Sequence, residues 1–401
     1  MKVAAVIAEY NPFHKGHRWQ LEQIRQRGAT HIAVVMSPDY TQRGTPAILP
    51  KRVRARAALE NGADLILELP VSYACAGAQR FAFGAVSLVR AMGCVQALAF
   101  GAEDAEQDLL GQAADALEHP QVQQALRERM AEGITFARAR QQAVEQVFGE
   151  RVGAVLSRPN NILAVEYLAQ LAALSDGRIQ PMAISRIGNA HDGEPESGFA
   201  SASFLRGQML EGNWSRVQEY LPQNCWELYR RAAERGELAQ MKTGERAVLS
   251  TLRGLSAEQL SALPDLSEGL ENRLLQASRQ ACTVEELYEL VKTKRYPMAR
   301  VRRLVMSAFL SLPETMQQTL PPYLRILGMN ERGREILSCM KQTATLPVSA
   351  SLKRLAESGE TAWQSAQLES RCADQYSLFA DRIRPCGEDW RQSAVLLKSD
   401  D

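Results

Sequence analysis

Two of the chain's five histidines, His14 and His17, lie three residues apart in the segment Asn11-Pro12-Phe13-His14-Lys15-Gly16-His17. Imidazoles at this spacing, where a strand gives way to a helix, suit chemistry at a phosphorus centre. Each ring can donate to an oxygen on the α- or β-phosphate of a nucleotide, Gly16 leaves room for a phosphate near the backbone, and the unpaired N–H groups of a helix start favour an anion. Such a site would stabilise a pentacovalent phosphorus carrying extra negative charge. A plainer reading makes the pair helix caps or core residues. A metal-ligand reading lacks a third ligand of suitable spacing, so no protein-held metal is expected. Neither GxGxxG nor GxxxxGK[ST] occurs, which excludes phosphate sites of the dinucleotide-fold and P-loop kinds.

The elements that must hold these residues follow from hydrophobic periodicity. Apolar, β-branched runs at Val3–Ala8, His31–Met36, Leu65–Leu69 and Val95–Phe100 alternate with helical patterns at His17–Arg27, Pro50–Asn61 and Gly84–Met92, as in parallel βαβ units. Gly28, Gly62 and Gly93 fall where a helix C-cap is expected. The histidines then stand at the carboxyl end of the first strand, where open α/β sheets bind ligands. After Gly101 the chain turns polar and helical, an insertion spanning about residues 102–178, before a fifth strand at Gln180–Ser185. Beyond Leu210 no strand pattern stands out, only helical runs such as Asn224–Arg235, Glu245–Arg253 and Val301–Leu312. The expected architecture is an α/β domain over 1–212, a doubly wound parallel sheet with a helical insertion, followed by a mostly α-helical second domain over 213–401.

Composition narrows the partners. Lys plus Arg is 47 and Asp plus Glu is 46, so no global charge draws the chain to nucleic acid or an acidic membrane, and any polyanion site must be a local patch. Seven scattered cysteines without a CxxC pair read as reduced thiols. The first strand starts almost at Met1 and no apolar run approaches a membrane span, so cytoplasmic residence without membrane contact is the expectation. The sequence carries no marker of oligomeric state.

The run Asn11–His17 resembles the HxGH signature of the nucleotidylyltransferase superfamily, and Ser201-Ala202-Ser203-Phe204-Leu205-Arg206 resembles its second signature, a Ser/Thr-rich turn that opens a helix after the last strand and ends in Arg. Simple N-capping is the alternative for that turn taken alone. Gln42-Arg43-Gly44-Thr45-Pro46-Ala47, Lys51 with Arg54, Gly62 to Pro70, Phe100-Gly101-Ala102-Glu103, Pro159-Asn160-Asn161-Ile162-Leu163, Ser185-Arg186-Ile187-Gly188 with His191-Asp192, Lys292 to Tyr296 and Tyr323 to Gly328 are similar to the tRNA(Met) cytidine acetate ligase family. The resemblance covers nearly the whole chain. It implies activation of acetate with ATP to acetyl-adenylate, then transfer of the acetyl group to N4 of the wobble cytidine of elongator tRNA(Met).

Carried over residue by residue, the resemblance gives ATP the first-strand loop Ile7, Ala8, Glu9, Tyr10, Asn11, Pro12, Phe13, His14, Lys15, Gly16, His17, Arg18, Trp19 and Gln20. Gly101 would lie under the adenine. Asn160 or Asn161, Arg186 and Ile187 would complete the nucleotide pocket, and Ser201, Ser203 and Arg206 would hold the β- and γ-phosphates. Acetate is already ionised and nucleophilic at neutral pH, so adenylation needs charge neutralisation and in-line placement rather than a base. His14, His17, Lys15 and Arg206 are the expected donors, with Mg²⁺ accompanying the ATP phosphates. Two basic runs could meet tRNA phosphates: Lys51, Arg52 and Arg54 in one, and Lys292, Lys294, Arg295, Arg300 and Arg303 in the other, with Tyr296 free to stack on a base. A solvated basic helix face is the plain alternative for either run. One segment departs from the family: Ser37-Pro38-Asp39-Tyr40-Thr41 stands where a Gly-Asn pair is usual. If that loop faces the acid, a different small acid could be used. Two rival functions share the motif: an adenylyltransferase acting on nicotinamide mononucleotide or phosphopantetheine, and a non-catalytic protein that binds tRNA or ATP.

Overall fold

The computed structural model describes residues 1–398 except 175–176, 187–194, 196–197, 267–268 and 295. Five parallel strands appear where the periodicity places them: β1 (Val3–Ala8), β2 (His31–Met36), β3 (Leu65–Glu68), β4 (Val95–Ala102) and β5 (Gln180–Ser185). They are ordered β5-β4-β1-β2-β3, with β1 in the middle, paired in parallel to β2 on one side and β4 on the other. Both faces are covered, which is why β2 is buried at every position and reads as a continuous apolar run. Gly28, Gly62 and Gly93 take positive φ at the helix stops. Helices fill the insertion between Gln107 and Leu174.

The chain beyond Leu210 is mostly helical, but the expectation that it lacks strands is corrected. β6 (Leu324–Met329) joins the sheet antiparallel to β3, and the two-residue strands β7 (Val348–Ser349) and β8 (Val395–Leu396) pair with β6. The pattern was obscured because Leu-Arg-Ile-Leu-Gly-Met places a charge and a glycine inside a strand. Tertiary contacts explain both. A Cβ on Gly328 would lie 2.8 Å from Leu59 Cδ1 and 2.9 Å from the Val395 carbonyl, so only glycine fits. Arg325 is buried and donates to Glu68 (2.7 Å) and Asp389 (2.6 Å), and the ammonium of Lys51 reaches the same two carboxylates at 2.6 and 2.9 Å. Burial alone would discharge Lys51, but Asp389 and Glu68 outweigh it and hold the ammonium above its ordinary range.

That cluster also corrects two expected tRNA contacts. Lys51 and Arg54 are buried. Arg54 donates Nε to the Leu49 carbonyl and Nη1 to the carbonyls of Glu9 (2.6 Å) and Ser37 (3.1 Å), so it ties together the loops that leave β1 and β2. Arg52 is largely covered and donates to the Gln392 and Ser393 carbonyls. Solvated phosphate cannot reach the first two without unfolding the cluster. Lys51→Met, which leaves Glu68 and Asp389 without their shared ammonium, is expected to lower stability by about 3–5 kcal/mol in urea unfolding. Unchanged stability with weakened RNA binding would restore the phosphate role.

Candidate active site

A pocket opens at the carboxyl ends of β1, β4 and β5, the place the sheet topology favours. His14 is the N-cap of the helix Lys15–Gln26, and its Nδ1 accepts from the Gly16 N–H at 3.1 Å. His17, one turn in, returns the arrangement: its Nδ1 accepts from the His14 N–H at 3.3 Å. The capping alternative is therefore correct as well, and it serves the chemistry. With Nδ1 occupied as an acceptor on both rings, the neutral form carries its proton on Nε2. Neither Nε2 has a protein partner among the described residues, and both histidines line the pocket.

The rings stack 3.8 Å apart, and His17 also packs on Tyr10 and Phe13. Burial, followed by Arg186 and Arg206, pulls His14 down to about 3; burial, His14 and Arg186 hold His17 well below its usual value. Both are neutral at physiological pH. They can give one hydrogen bond each without adding charge, and the positive field comes from the arginines. Arg206 is aimed by its bonds to the Asn11 carbonyl (2.7 Å) and the Ser203 hydroxyl (3.2 Å). Ser201 caps its own helix through the Phe204 N–H and also lines the pocket. Gly16 lines the pocket and is constrained for a second reason as well, because a Cβ there would lie 2.9 Å from His14 Cε1: its hydrogen atom makes room for the imidazole.

On the β4 side, Gly101 lies beside Gln20 and the Arg186 side chain. Asn160, not Asn161, faces the pocket. Its side-chain oxygen accepts from Arg186 Nη1 at 3.3 Å, and its amide donates to Glu103. Asn161 is buried and its Oδ1 takes the backbone N–H groups of Glu103 and Asp104. Glu103 was not singled out as a site residue, yet its carboxylate caps the helix Pro159–Leu174 and fixes Asn160. A carboxylate directly after a strand and an Asn pair at a distant helix start give no signal until the two meet.

Of the first-strand loop, Ile7, Ala8, Glu9, Tyr10, Asn11, His14, Gly16, His17, Trp19 and Gln20 line the pocket. Four expected contacts do not. Lys15 points away, its ammonium on the Glu219 carbonyl at 2.6 Å; Arg18 is exposed and pairs with Glu22; Phe13 is core; Pro12 lies outside the lining. Ile187, Gly188, His191, Asp192 and Arg295 lie outside the described residues. Pro38 and Asp39 do not face the pocket: Asp39 is buried and caps the helix Lys51–Leu59 by accepting from the Lys51 N–H at 2.8 Å. Gln42, Arg43 and Thr45, a few residues on, are the part of that loop that reaches the pocket.

The second basic run arrives from the helical half. A Cβ on Gly44 would lie 2.5 Å from the backbone of Arg302 and Arg303, so the helix Met298–Leu310 rests directly on the pocket loop. Lys292 and Lys294 are exposed near its start. Tyr296 is buried under Arg300, 5.5 Å from its ring, which corrects its expected role as a free stacking platform. Arg300 donates to the Asp265 carbonyl and Arg303 pairs with the Asp265 carboxylate at 3.2 Å.

Paired imidazoles at the first strand, an arginine-ended turn after the fifth, and a parallel sheet with β1 central define a nucleotidyltransferase of the HIGH type. A family model described as HIGH Nucleotidyl Transferase matches residues 1–389. A tRNA(Met) cytidine acetate ligase from Caldanaerobacter subterraneus subsp. tengcongensis is 35% identical over 356 residues, 87% of this chain and 88% of its own. One from Clostridium kluyveri is 34% identical over 413 residues, 99% of each chain. The crystal structure of Thermotoga maritima TmcAL without ligand superposes over 100% of both chains with a TM-score of 0.94 at 32% identity, and a second, bound with alpha-thio ATP, gives 0.93 at 31%. The chain belongs to the tRNA(Met) cytidine acetate ligase family.

The geometry separates two neighbouring residues sharply. Gly16→Ala is expected to displace His14 and cost at least about 100-fold in adenylation, the scale of losing a transition-state donor. Lys15→Ala should cost less than about 3-fold, because its ammonium is engaged with a carbonyl outside the pocket. Pyrophosphate exchange at saturating ATP measures both, and a large loss from Lys15→Ala would return it to the reacting phosphates.

Proposed function

We propose that this chain activates acetate with ATP, releasing pyrophosphate and forming acetyl-adenylate, and then acetylates N4 of the wobble cytidine of elongator tRNA(Met). The observation that carries the reading is the pair of neutral Nε2–H donors set beside Arg206 and Arg186, in a chain whose whole length matches acetate ligases. Acetate attacks the α-phosphorus in line with the departing pyrophosphate. His14, His17, Ser203 and Arg206 act as the donors for the charge that accumulates there, and no base is required. Arg186, Asn160 and Gly101 hold the nucleoside end. The amine of cytosine is a poor nucleophile because its lone pair is delocalised into the ring, which is why the acyl group must be carried on phosphate.

Mg²⁺ belongs to this proposal as an ion that arrives with the nucleotide. Among the described residues no group of three or more His, Cys, Asp or Glu side chains is placed to cage a metal, so the phosphates themselves would carry it and it would neutralise their charge. With Asp39 committed to a helix cap, the departure at residues 37–41 gives no reason to expect another acid. Lys292 and Lys294, with Arg302 at the pocket loop, are the proposed phosphate contacts for tRNA, and the proposal assigns RNA docking to residues 213–401. No helix among the described residues is long and apolar enough to cross a membrane, and a tRNA substrate supports a cytoplasmic location as part of this proposal.

The test is incubation with ATP, Mg²⁺, labelled acetate and unmodified bulk tRNA, followed by digestion and mass spectrometry of nucleosides. Labelled N4-acetylcytidine is expected, with His17→Ala lowering it about 100-fold or more. Pyrophosphate release that requires a phosphorylated cofactor precursor instead of acetate would overturn the reading in favour of a cofactor adenylyltransferase. ATP binding without any turnover would indicate a sensor.

A further inference from the structure

The pocket straddles the edge of the sheet, and its two sides are chemically unlike. Along β1, Val3 and Ala5 pack on the face that carries Phe81, Phe100 and Tyr167, whereas Ala4 and Val6 pack on the face that carries Phe13 and Leu205. Glu9 continues the first register. The histidines and Arg206 belong to the second face. Electrostatics agree with this division: burial first, and Glu9 second, raise the Tyr167 hydroxyl above the ordinary phenol range, while His14 and His17 respond to Arg186 and Arg206.

Among the described residues, Glu9 is the only carboxylate lining a pocket otherwise equipped for a polyanion. A negative charge there opposes phosphate binding. It is nevertheless held in place: its Oε1 accepts from the Gln42 N–H at 2.8 Å, and Arg54 clamps its carbonyl. Around it the lining changes from arginine and serine to Phe81, Phe100, Leu163 and Tyr167, with the Phe100 and Tyr167 rings 6.2 Å apart. An apolar recess ending in one carboxylate suits a ring that presents an N–H donor at its edge.

We propose that this recess receives the everted target cytosine of the RNA, with its exocyclic amine donating to the Glu9 carboxylate. Cytosine shows an amine where uracil shows a carbonyl, so a carboxylate accepts from the first and repels the second. Everted bases are commonly read this way, between aromatic walls and by their pairing edge. In-line displacement supplies the second reason. Pyrophosphate leaves on the histidine face, so the acid enters from the opposite side, and the acetyl carbon of the mixed anhydride ends up facing the recess. The N4 nitrogen then attacks that carbon. The C–N bond forms, the acyl C–O bond to phosphate breaks, AMP leaves with the electron pair, and the N4 proton passes to Glu9 and on to solvent. This assignment rests on the acetate-adenylate reading above.

Glu9→Gln keeps an oxygen for the Gln42 N–H and removes the charge. Two reactions are compared in the full-length enzyme: acetate-dependent ATP–pyrophosphate exchange, and single-turnover transfer of labelled acetyl to transcribed tRNA(Met). Transfer is expected to fall about 100-fold, the scale of a lost proton acceptor, and exchange by less than a tenth as much. Competition by transcripts bearing cytidine or uridine at the wobble position gives a second readout. The native enzyme should prefer cytidine by about 10-fold, and the variant should lose that preference. Equal losses in exchange and transfer would assign Glu9 to ATP or its Mg²⁺ and overturn the proposal, as would an undiminished preference for cytidine. If the native enzyme shows no exchange with acetate, the acetate reading fails instead, and competition for binding between the cytidine and uridine transcripts, with and without Glu9→Gln, decides whether the recess reads cytosine.

Discussion

The Nδ1 atoms of His14 and His17 are both taken by backbone N–H groups, from Gly16 and from His14, and the chemistry available to the pocket depends on this. A free imidazole beside phosphate would be drawn into the charged form. Here the backbone fixes the tautomer, burial and two arginines depress the protonation, and each ring offers one Nε2–H. Charge and direction are thus supplied by different groups: the arginines provide the field and the histidines the placed donors. Such division suits a reaction whose charge grows at phosphorus without a proton being moved.

The second constraint is the buried cluster that fastens the two halves of the chain. Lys51 and Glu68 come from the sheet's own βαβ units, Arg325 and Asp389 from far along the sequence, and their contacts close over β3 and β6. Glu369, raised above the ordinary carboxylate range by burial and by Glu68, adds a bond to the Val71 N–H at the end of the same region. Because Gly44 also rests on the backbone of Arg302 and Arg303, the helical half is seated against the pocket loop rather than tethered beside it. An RNA held by that half would be presented to the pocket without a domain movement.

What could be read from residue order was local. The five parallel strands were legible because each is a short apolar run between helical patterns, and the histidine pair because its spacing and its place after β1 are both unusual. β6 was not, since Arg325 makes sense in a strand only once Glu68 and Asp389 surround it. Lys51 and Arg54 looked like a basic face for the same reason: their partners are 12 to 338 residues away or are backbone carbonyls. The orientation of Lys15, one residue from a site histidine, depends on the Glu219 carbonyl. The recess around Glu9 combines side chains from the loop after β1, from β4 and from two helices, and no spacing in the sequence announces it.

The most direct test of the neutral-donor account is ¹⁵N NMR of the imidazoles of His14 and His17 in the ligand-free enzyme, assigned through single substitutions and followed from pH 5 to pH 8. The account predicts a proton on Nε2 and none on Nδ1 in both rings, with no titration over that range. Two protonated nitrogens on either ring near neutral pH, or a proton on Nδ1, would contradict it.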